Sequence, residues 1–152
     1  MKIHHCDYNM HLHKHFYPGF IMSEEKTLID FVNEAKSQIT EIEVSDVISF
    51  LDDGYRVLDV REPAEFISGT IDGALNIPRG VLEAFSDHKY PGRREELMNR
   101  DSKWLLLCAT SGRSAMAAVV MQQMGFKNVK NINGGIAAWK AAEMQTVIPP
   151  HQ

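Results

Sequence analysis

Short apolar runs alternate with segments of helical periodicity along most of the chain. Leu28, Phe31, Val32 and Ala35 recur at helical spacing, which predicts an amphipathic helix within 24–37 whose Leu and Phe side chains belong to the core. The same patterns predict further helices at 45–51, 80–86, 94–100, 114–124 and 136–142, and strands near 42 and at 56–60, 74–77, 104–108 and 128–132. This alternation predicts an α/β fold with a mostly parallel central sheet and helices on both faces.

Length and composition fit one globular domain. The 152 residues are 44% hydrophobic and 24% charged, and the longest uninterrupted apolar stretch, Ala115–Met121, is far too short to cross a bilayer. A net charge of −4 gives no general attraction to nucleic acid or anionic membranes, so we expect small molecules or proteins as partners. No secretory signal is visible and the two cysteines form no disulfide framework, which predicts a cytoplasmic protein.

Residues 1–21 form a His-rich segment that differs from the rest of the chain. Imidazoles and Cys6 could bind a transition metal, but a compositional tract defines no ligand geometry, and we favour a flexible tail without a metal site; its histidines are His4, His5, His11, His13 and His15. Met22 also resembles an ordinary protein start. We therefore divide the chain into a tail at 1–21, an N-terminal helix within 22–40, a main domain at 41–145 and a C-terminal tail at 146–152.

The segment around Cys108 carries the candidate chemistry. The strand 104–108 is apolar on both faces, as expected for the centre of a covered parallel sheet, and Cys108 is at its carboxyl end, where open α/β sheets bind ligands. A short loop, Ala109 to Gly112, leads into a helix that opens with Arg113 and Ser114. Inward-pointing loop amides and the positive end of the helix dipole would both favour a thiolate or another anion.

A cysteine that ends a core strand is more often an inert small hydrophobe. Here the small polar residues Thr110, Ser111 and Gly112 suit a loop whose backbone approaches a ligand closely. Arg113 is a cation at a helix start, which is unfavourable unless a compensating anion lies nearby. We therefore interpret Cys108 as a nucleophile.

Over about residues 40 to 145 the chain resembles the rhodanese family of small α/β sulfurtransferase domains. Three patches carry the likeness: VLDVREPAEF at 57–66 followed by GTIDGALNIP at 69–78, CATSGRS at 108–114, and NGGIAAW at 133–139. The resemblance implies a rhodanese-like fold with Cys108 as the sulfur-carrying catalytic residue. It further implies an anion-binding loop that holds the substrate, made of Ala109, Thr110, Ser111, Gly112, Arg113 and Ser114.

The resemblance also implies supporting residues. Asp59 and Arg61 match the family's D-x-R patch beneath the active site, where Asp59 would support the loop by hydrogen bonding and Arg61 would be a structural or electrostatic partner. The remaining matches are interpreted as fold determinants: Glu65, Gly73, Gly134, Gly135 and Trp139. Two positions depart from the pattern. The loop glycine is one residue later than usual, at Gly112 instead of 111, and Thr70 replaces a familiar histidine.

The implied reaction is a double displacement. The Cys108 thiolate would take the outer sulfur of a donor such as thiosulfate, release sulfite, and pass the persulfide sulfur to cyanide or a thiol, with no metal or organic cofactor. Two alternatives remain open. The domain could be a persulfide carrier or protein-docking module without turnover. Cysteine-dependent phosphatases use similar chemistry, but they place five residues between Cys and Arg, whereas this chain has four.

Overall fold

One parallel sheet organises the chain in the computed structural model, which describes residues 24–150. The strands run in the spatial order β1-β5-β4-β2-β3. They are β1 (Glu41–Ile42), β2 (Arg56–Asp59), β3 (Leu75–Asn76), β4 (Lys103–Leu107) and β5 (Asn128–Ile132). All four strand pairings are parallel, which confirms the predicted α/β fold.

Six α-helices connect and flank these strands within the described residues. They are α1 (Leu28–Lys36), α2 (Val47–Asp52), α3 (Pro63–Ile67), α4 (Leu82–Phe85), α5 (Gly112–Gln123) and α6 (Gly135–Ala141), with 3₁₀ turns at Val44–Asp46, Arg79–Val81 and Glu95–Leu97. The prediction of a helix over 94–100 is wrong. Only Leu97 in its 3₁₀ turn is buried, so the segment has no apolar stripe to stabilise further turns.

The core lies on both faces of the sheet, because alternate side chains of the central strand β4 point in opposite directions. Trp104 and Leu106 belong to the cluster that includes α5, whereas Leu105 and Leu107 belong to the cluster that includes α2, α3 and α6. Helices therefore cover both faces, as predicted. The C-terminal ends of β4 and β2 are supported from both sides, which gives the residues that follow them a rigid base.

Helix α1 packs differently from the prediction. It lies against α5 through Val32 and the buried Ala35, but Leu28 is 72% exposed and Phe31 is 50% exposed. Assigning Leu28 and Phe31 to the core was therefore wrong. The helix packs against α5, so only part of its apolar stripe is covered, and Leu28 lines a cavity together with residues that follow β4.

The structure describes the two ends of the chain only in part. Residues 1–23, including the His-rich segment, Cys6 and the alternative start at Met22, lie outside the described residues. The segment predicted as a C-terminal tail begins with an ordered contact, because Val147 exchanges two backbone hydrogen bonds with Thr70, of 3.0 and 2.9 Å. Within residues 24–150 no helix has the length and apolar character that a membrane crossing requires.

Candidate active site

Cys108 is the first residue after β4 and is only 1% exposed. Its side chain lies at the edge of a cavity of about 680 Å³ that the following loop, α1 and the start of α5 also line. The hydroxyl of Ser114 donates a hydrogen bond to Sγ of Cys108 over 3.2 Å. The sulfur is thus recessed but faces a space large enough for a substrate.

The loop after Cys108 contains a left-handed residue at Ser111, with φ of +78°. Glycine usually takes this conformation, because a side chain costs roughly 1–2 kcal/mol there. Although the loop glycine is at position 112, the left-handed backbone conformation is at residue 111. Gly112 has a different use, since a β-carbon on it would lie 3.2 Å from Cγ2 of Val32 in α1. The glycine allows α1 to approach the loop closely.

The backbone amides of the loop are available for a ligand. In the described part of the chain, the N–H groups of residues 109–114 donate to no backbone or side-chain oxygen. The first amides of a helix always lack internal acceptors, and the twelve-residue α5 adds the positive end of its dipole here. Of the predicted substrate-binding residues, Ala109, Thr110, Gly112 and Arg113 line the cavity with Cys108, whereas Ser111 and Ser114 are buried and do not line it.

Glu65 is the compensating anion for Arg113. Nη1 and Nη2 of Arg113 each donate to the Glu65 carboxylate over 2.8 Å, joining the start of α5 to α3. These bonds hold the pKa of Glu65 down at about 2. They also raise the pKa of Arg113 above its ordinary value, with a smaller contribution from the nearby Cys108. Sequence reasoning treated Glu65 as a fold determinant only; the uncompensated cation at the helix start was the signal for its partner.

Helix α6 fixes the start of the loop. The amides of Ile136 and Ala137 donate to the carbonyls of Cys108 and Ala109 over 2.9 and 3.1 Å. The preceding Gly135 has φ of +61°, and a β-carbon on it would lie 2.5 Å from the Cys108 carbonyl oxygen. Gly135 is therefore required by contact with the site as well as by its turn, a role that sequence reasoning missed.

Asn131 on β5 links the loop to the edge of the sheet. Its Nδ2 donates to the carbonyl of Ser111 over 3.4 Å and to the Glu41 carboxylate over 3.0 Å, and Glu41 in turn pairs with Lys36 of α1 over 3.2 Å. Asn131 is fully buried, so this link is protected from water. Nothing in the sequence pattern distinguished Asn131 from the other polar residues of its strand.

Asp59, the last residue of β2, and Arg61 form a separate buried unit. The Asp59 carboxylate accepts from Nε and Nη2 of Arg61, at 3.0 and 2.7 Å, and from the Thr70 hydroxyl at 2.8 Å, while Nη2 also donates to the Gly69 carbonyl. Neither side chain bonds to residues 109–114 or lines the cavity. The structure therefore shows no direct bond by which Asp59 supports the loop, and Thr70, where a histidine was expected, completes the unit.

Comparison with known proteins identifies the family. The sequence model of the rhodanese-like domain family matches residues 43–142, about two thirds of the chain. The chain belongs to this family.

Relatives of this rhodanese-like chain include named sulfurtransferases. It is 30% identical to a sulfurtransferase of Allochromatium vinosum over 78% of this chain and 97% of the other. It is 36% identical to thiosulfate sulfurtransferase 16, a chloroplastic protein of Arabidopsis thaliana, over 57% and 74%. Transfer of sulfur-containing groups is the activity that these comparisons support.

A solved structure with a similar fold has a different description. A protein of unknown function from Rhodopseudomonas palustris, described as a possible tyrosine phosphatase, superposes with a TM-score of 0.75 at 31% identity. The match covers 85% of this chain and all of the other. A protein described with a different activity therefore shares the fold of this chain.

Proposed function

We propose that this rhodanese-like chain is a sulfurtransferase that carries a sulfane sulfur on Cys108. The donor is a compound such as thiosulfate, and the acceptor is cyanide or a thiol. The observation that carries the proposal is the row of unpaired amides at residues 109–114 beside a cysteine that lines a substrate-sized cavity. Such donors stabilise a thiolate and the negative persulfide that replaces it.

The first half-reaction loads the cysteine. The Cys108 thiolate attacks the outer sulfur of thiosulfate, a new S–S bond forms, and the old S–S bond breaks as sulfite leaves with its electron pair. In the second half, cyanide attacks the terminal persulfide sulfur, thiocyanate forms, and the thiolate of Cys108 is regenerated. The two negative ions that meet in each half need positive potential, which the loop amides and the α5 terminus supply.

Two neighbours of Cys108 have positioning roles in this scheme. Ser114 donates its hydroxyl to the sulfur, which stabilises the charged form before attack. Arg113 contributes positive potential near the sulfur while its two bonds to Glu65 hold it in one orientation. No step requires a metal or an organic cofactor, and the partners we propose are small sulfur compounds or a thiol-bearing protein of the cytoplasm, not nucleic acid.

Phosphatase chemistry is a second candidate because of the structural match described above. A phosphatase loop needs its arginine free to bind the phosphoryl oxygens. In this chain Nη1 and Nη2 of Arg113 both donate to Glu65, and four residues, not five, separate Arg113 from Cys108. Both observations favour transfer of a single sulfur atom over binding of a tetrahedral oxyanion.

The decisive test measures thiocyanate formed from thiosulfate and cyanide. We expect turnover by the wild-type protein, none by Cys108→Ser, and unchanged turnover by Cys6→Ser, which removes the other cysteine of the chain. Equal thiocyanate production by wild type and Cys108→Ser would refute the proposal. Persulfide formation without steady-state turnover would indicate a carrier, and para-nitrophenyl phosphate hydrolysis that is lost in Cys108→Ser would indicate a phosphatase.

A further inference from the structure

The cavity at Cys108 is larger than an inorganic sulfur donor requires. Its volume of about 680 Å³ lies in the range of pockets that enclose organic ligands of many atoms, whereas thiosulfate has five. Much of the extra space lies against α1, which contributes Leu28, Ile29 and Val32. Leu28 and Ile29 are 72% and 60% exposed, although helices normally turn such side chains toward the protein. We call these three residues the α1 wall.

The charged residues around the cavity do not favour a small anion as its only ligand. Lys36 and Arg113 are the cations that line it among the described residues. Each is paired with a carboxylate, Lys36 with Glu41 over 3.2 Å and Arg113 with Glu65 over 2.8 Å. Positive potential for an anion therefore comes chiefly from the loop amides next to the sulfur. The rest of the cavity offers apolar surface to its occupant.

We propose that the α1 wall binds the organic part of a small thiol, R–SH, or of its persulfide, R–S–SH, in which R is an apolar aliphatic or aromatic group. This inference rests on the sulfur transfer proposed above and names the class of its organic partner. Contact between R and the wall removes exposed apolar surface from water on both sides. The sulfur end of the same molecule then lies beside the loop and Cys108.

The recessed position of Cys108 favours a small molecule as this occupant. With 1% of the residue exposed, Sγ is reached only by a group narrow enough to enter the cavity. In the loading direction, the Cys108 thiolate attacks the outer sulfur of R–S–SH, the donor S–S bond breaks, and R–S⁻ leaves with the electron pair. In the discharging direction, R–S⁻ attacks the outer sulfur of the Cys108 persulfide, forms R–S–SH and releases the thiolate. Neither direction needs an oxidant.

The test measures discharge of the loaded protein by thiols of graded length. The full chain is loaded on Cys108 with inorganic polysulfide, and loss of one sulfur atom is followed by intact mass after adding ethanethiol, 1-propanethiol or 1-butanethiol. The rate constant is expressed per thiolate, and 2-mercaptoethanol serves as the polar counterpart of 1-propanethiol. We expect about a fourfold rise in rate for each added methylene, the factor that a buried methylene provides, and slower discharge by 2-mercaptoethanol than by 1-propanethiol.

Two isoleucine variants locate the effect. Ile29→Gln keeps a good helix former in α1 but removes apolar surface, so we expect the rise per methylene to fall by at least half. Ile67→Gln is the matched control, because Ile67 is 59% exposed at the end of α3 and does not line the cavity, and we expect it to retain the wild-type dependence.

The outcomes separate the two proposals. Failure of Cys108 to accept or release sulfur with any acceptor, cyanide included, overturns the sulfurtransferase proposal. Normal loading and discharge with the same rate for every chain length overturns only the thiol inference. A wild-type length dependence that is unchanged in Ile29→Gln, or lost equally in Ile67→Gln, overturns the assignment of the site to the α1 wall.

Discussion

Replacing Ser111 with glycine is expected to stabilise the protein, because Ser111 holds a left-handed backbone with φ of +78°. A non-glycine residue costs roughly 1–2 kcal/mol in this conformation, and glycine removes that cost. The greater freedom of glycine in the unfolded chain opposes the gain by roughly 0.5–1 kcal/mol. The expected net increase in the free energy of unfolding is therefore about 0.5–1 kcal/mol, or a rise in Tm of about 1–4 °C for a chain of this length.

Urea unfolding and calorimetry would measure this change, and two variants control it. Ser111→Ala keeps the β-carbon and therefore the strain, so we expect no stabilisation from it. Glu143→Gly relieves a second left-handed residue, with φ of +58°, that lies outside the cavity, and we expect a gain of similar size. If Ser111→Gly is no more stable than Ser111→Ala while Glu143→Gly is stabilised, the explanation from backbone strain at residue 111 is incorrect.

Two further substitutions test the contacts that hold the loop. Glu65→Gln should lower the free energy of unfolding by about 1 kcal/mol at pH 7, because the pair with Arg113 is more than one third exposed. The pKa of Glu65 drops from 4.5 to about 2 on folding. In urea unfolding at a series of pH values, the difference in unfolding free energy between wild type and Glu65→Gln should therefore persist above pH 4.5 and vanish toward pH 2. A difference that does not change with pH would contradict the role of the Glu65–Arg113 pair. Gly135→Ala should destabilise the protein more than Gly54→Ala and slow thiocyanate formation, because both glycines have positive φ but only the β-carbon at 135 would meet the Cys108 carbonyl. Equal free energies of unfolding for Gly135→Ala and Gly54→Ala would contradict the prediction, because they would show that a β-carbon at residue 135 can be accommodated beside the Cys108 carbonyl.

The parallel sheet and the position of Cys108 at the end of its central strand could be predicted because their signals are local. The strand 128–132 matches β5 residue for residue, and the run 104–108 contains all but the first residue of β4. The run 104–108 is a short apolar segment, a pattern typical of buried strands, whereas 128–132 contains only two apolar residues, Val129 and Ile132, between its turn residues. The order of strand, short polar loop and helix around Cys108 also lies within one continuous segment, so chain order alone indicated the candidate site.

The contacts that hold the loop could not be predicted in the same way, because they join distant parts of the chain. Glu65 and Arg113 are separated by 48 residues, and Asn131 lies 20 residues beyond Ser111. Periodicity reports which face of an element is apolar, but it does not report which polar side chains meet across elements.

One local misinterpretation has a physical reason. The apolar stripe of α1 was assigned to the core because an amphipathic helix usually buries such a stripe. The structure places part of that stripe along the cavity, a position that no pattern within the helix reveals. The late loop glycine has a physical reason too, because Gly112 is needed where Val32 approaches, while Ser111 holds the left-handed backbone.

The burial of Cys108 predicts how its persulfide form and its free thiol form can be distinguished by their reactivity. The persulfide of the proposed function would extend the Cys108 side chain by one S–S bond of about 2 Å. With 1% of the residue exposed, the free thiol would be shielded from bulky alkylating agents, whereas the added sulfur atom of the proposed persulfide would be easier for a reagent to reach. Alkylating reagents of increasing size should therefore react more readily with the persulfide form of Cys108 than with its free thiol. Burial would thus protect the free thiol during the part of the cycle when Cys108 carries no sulfur.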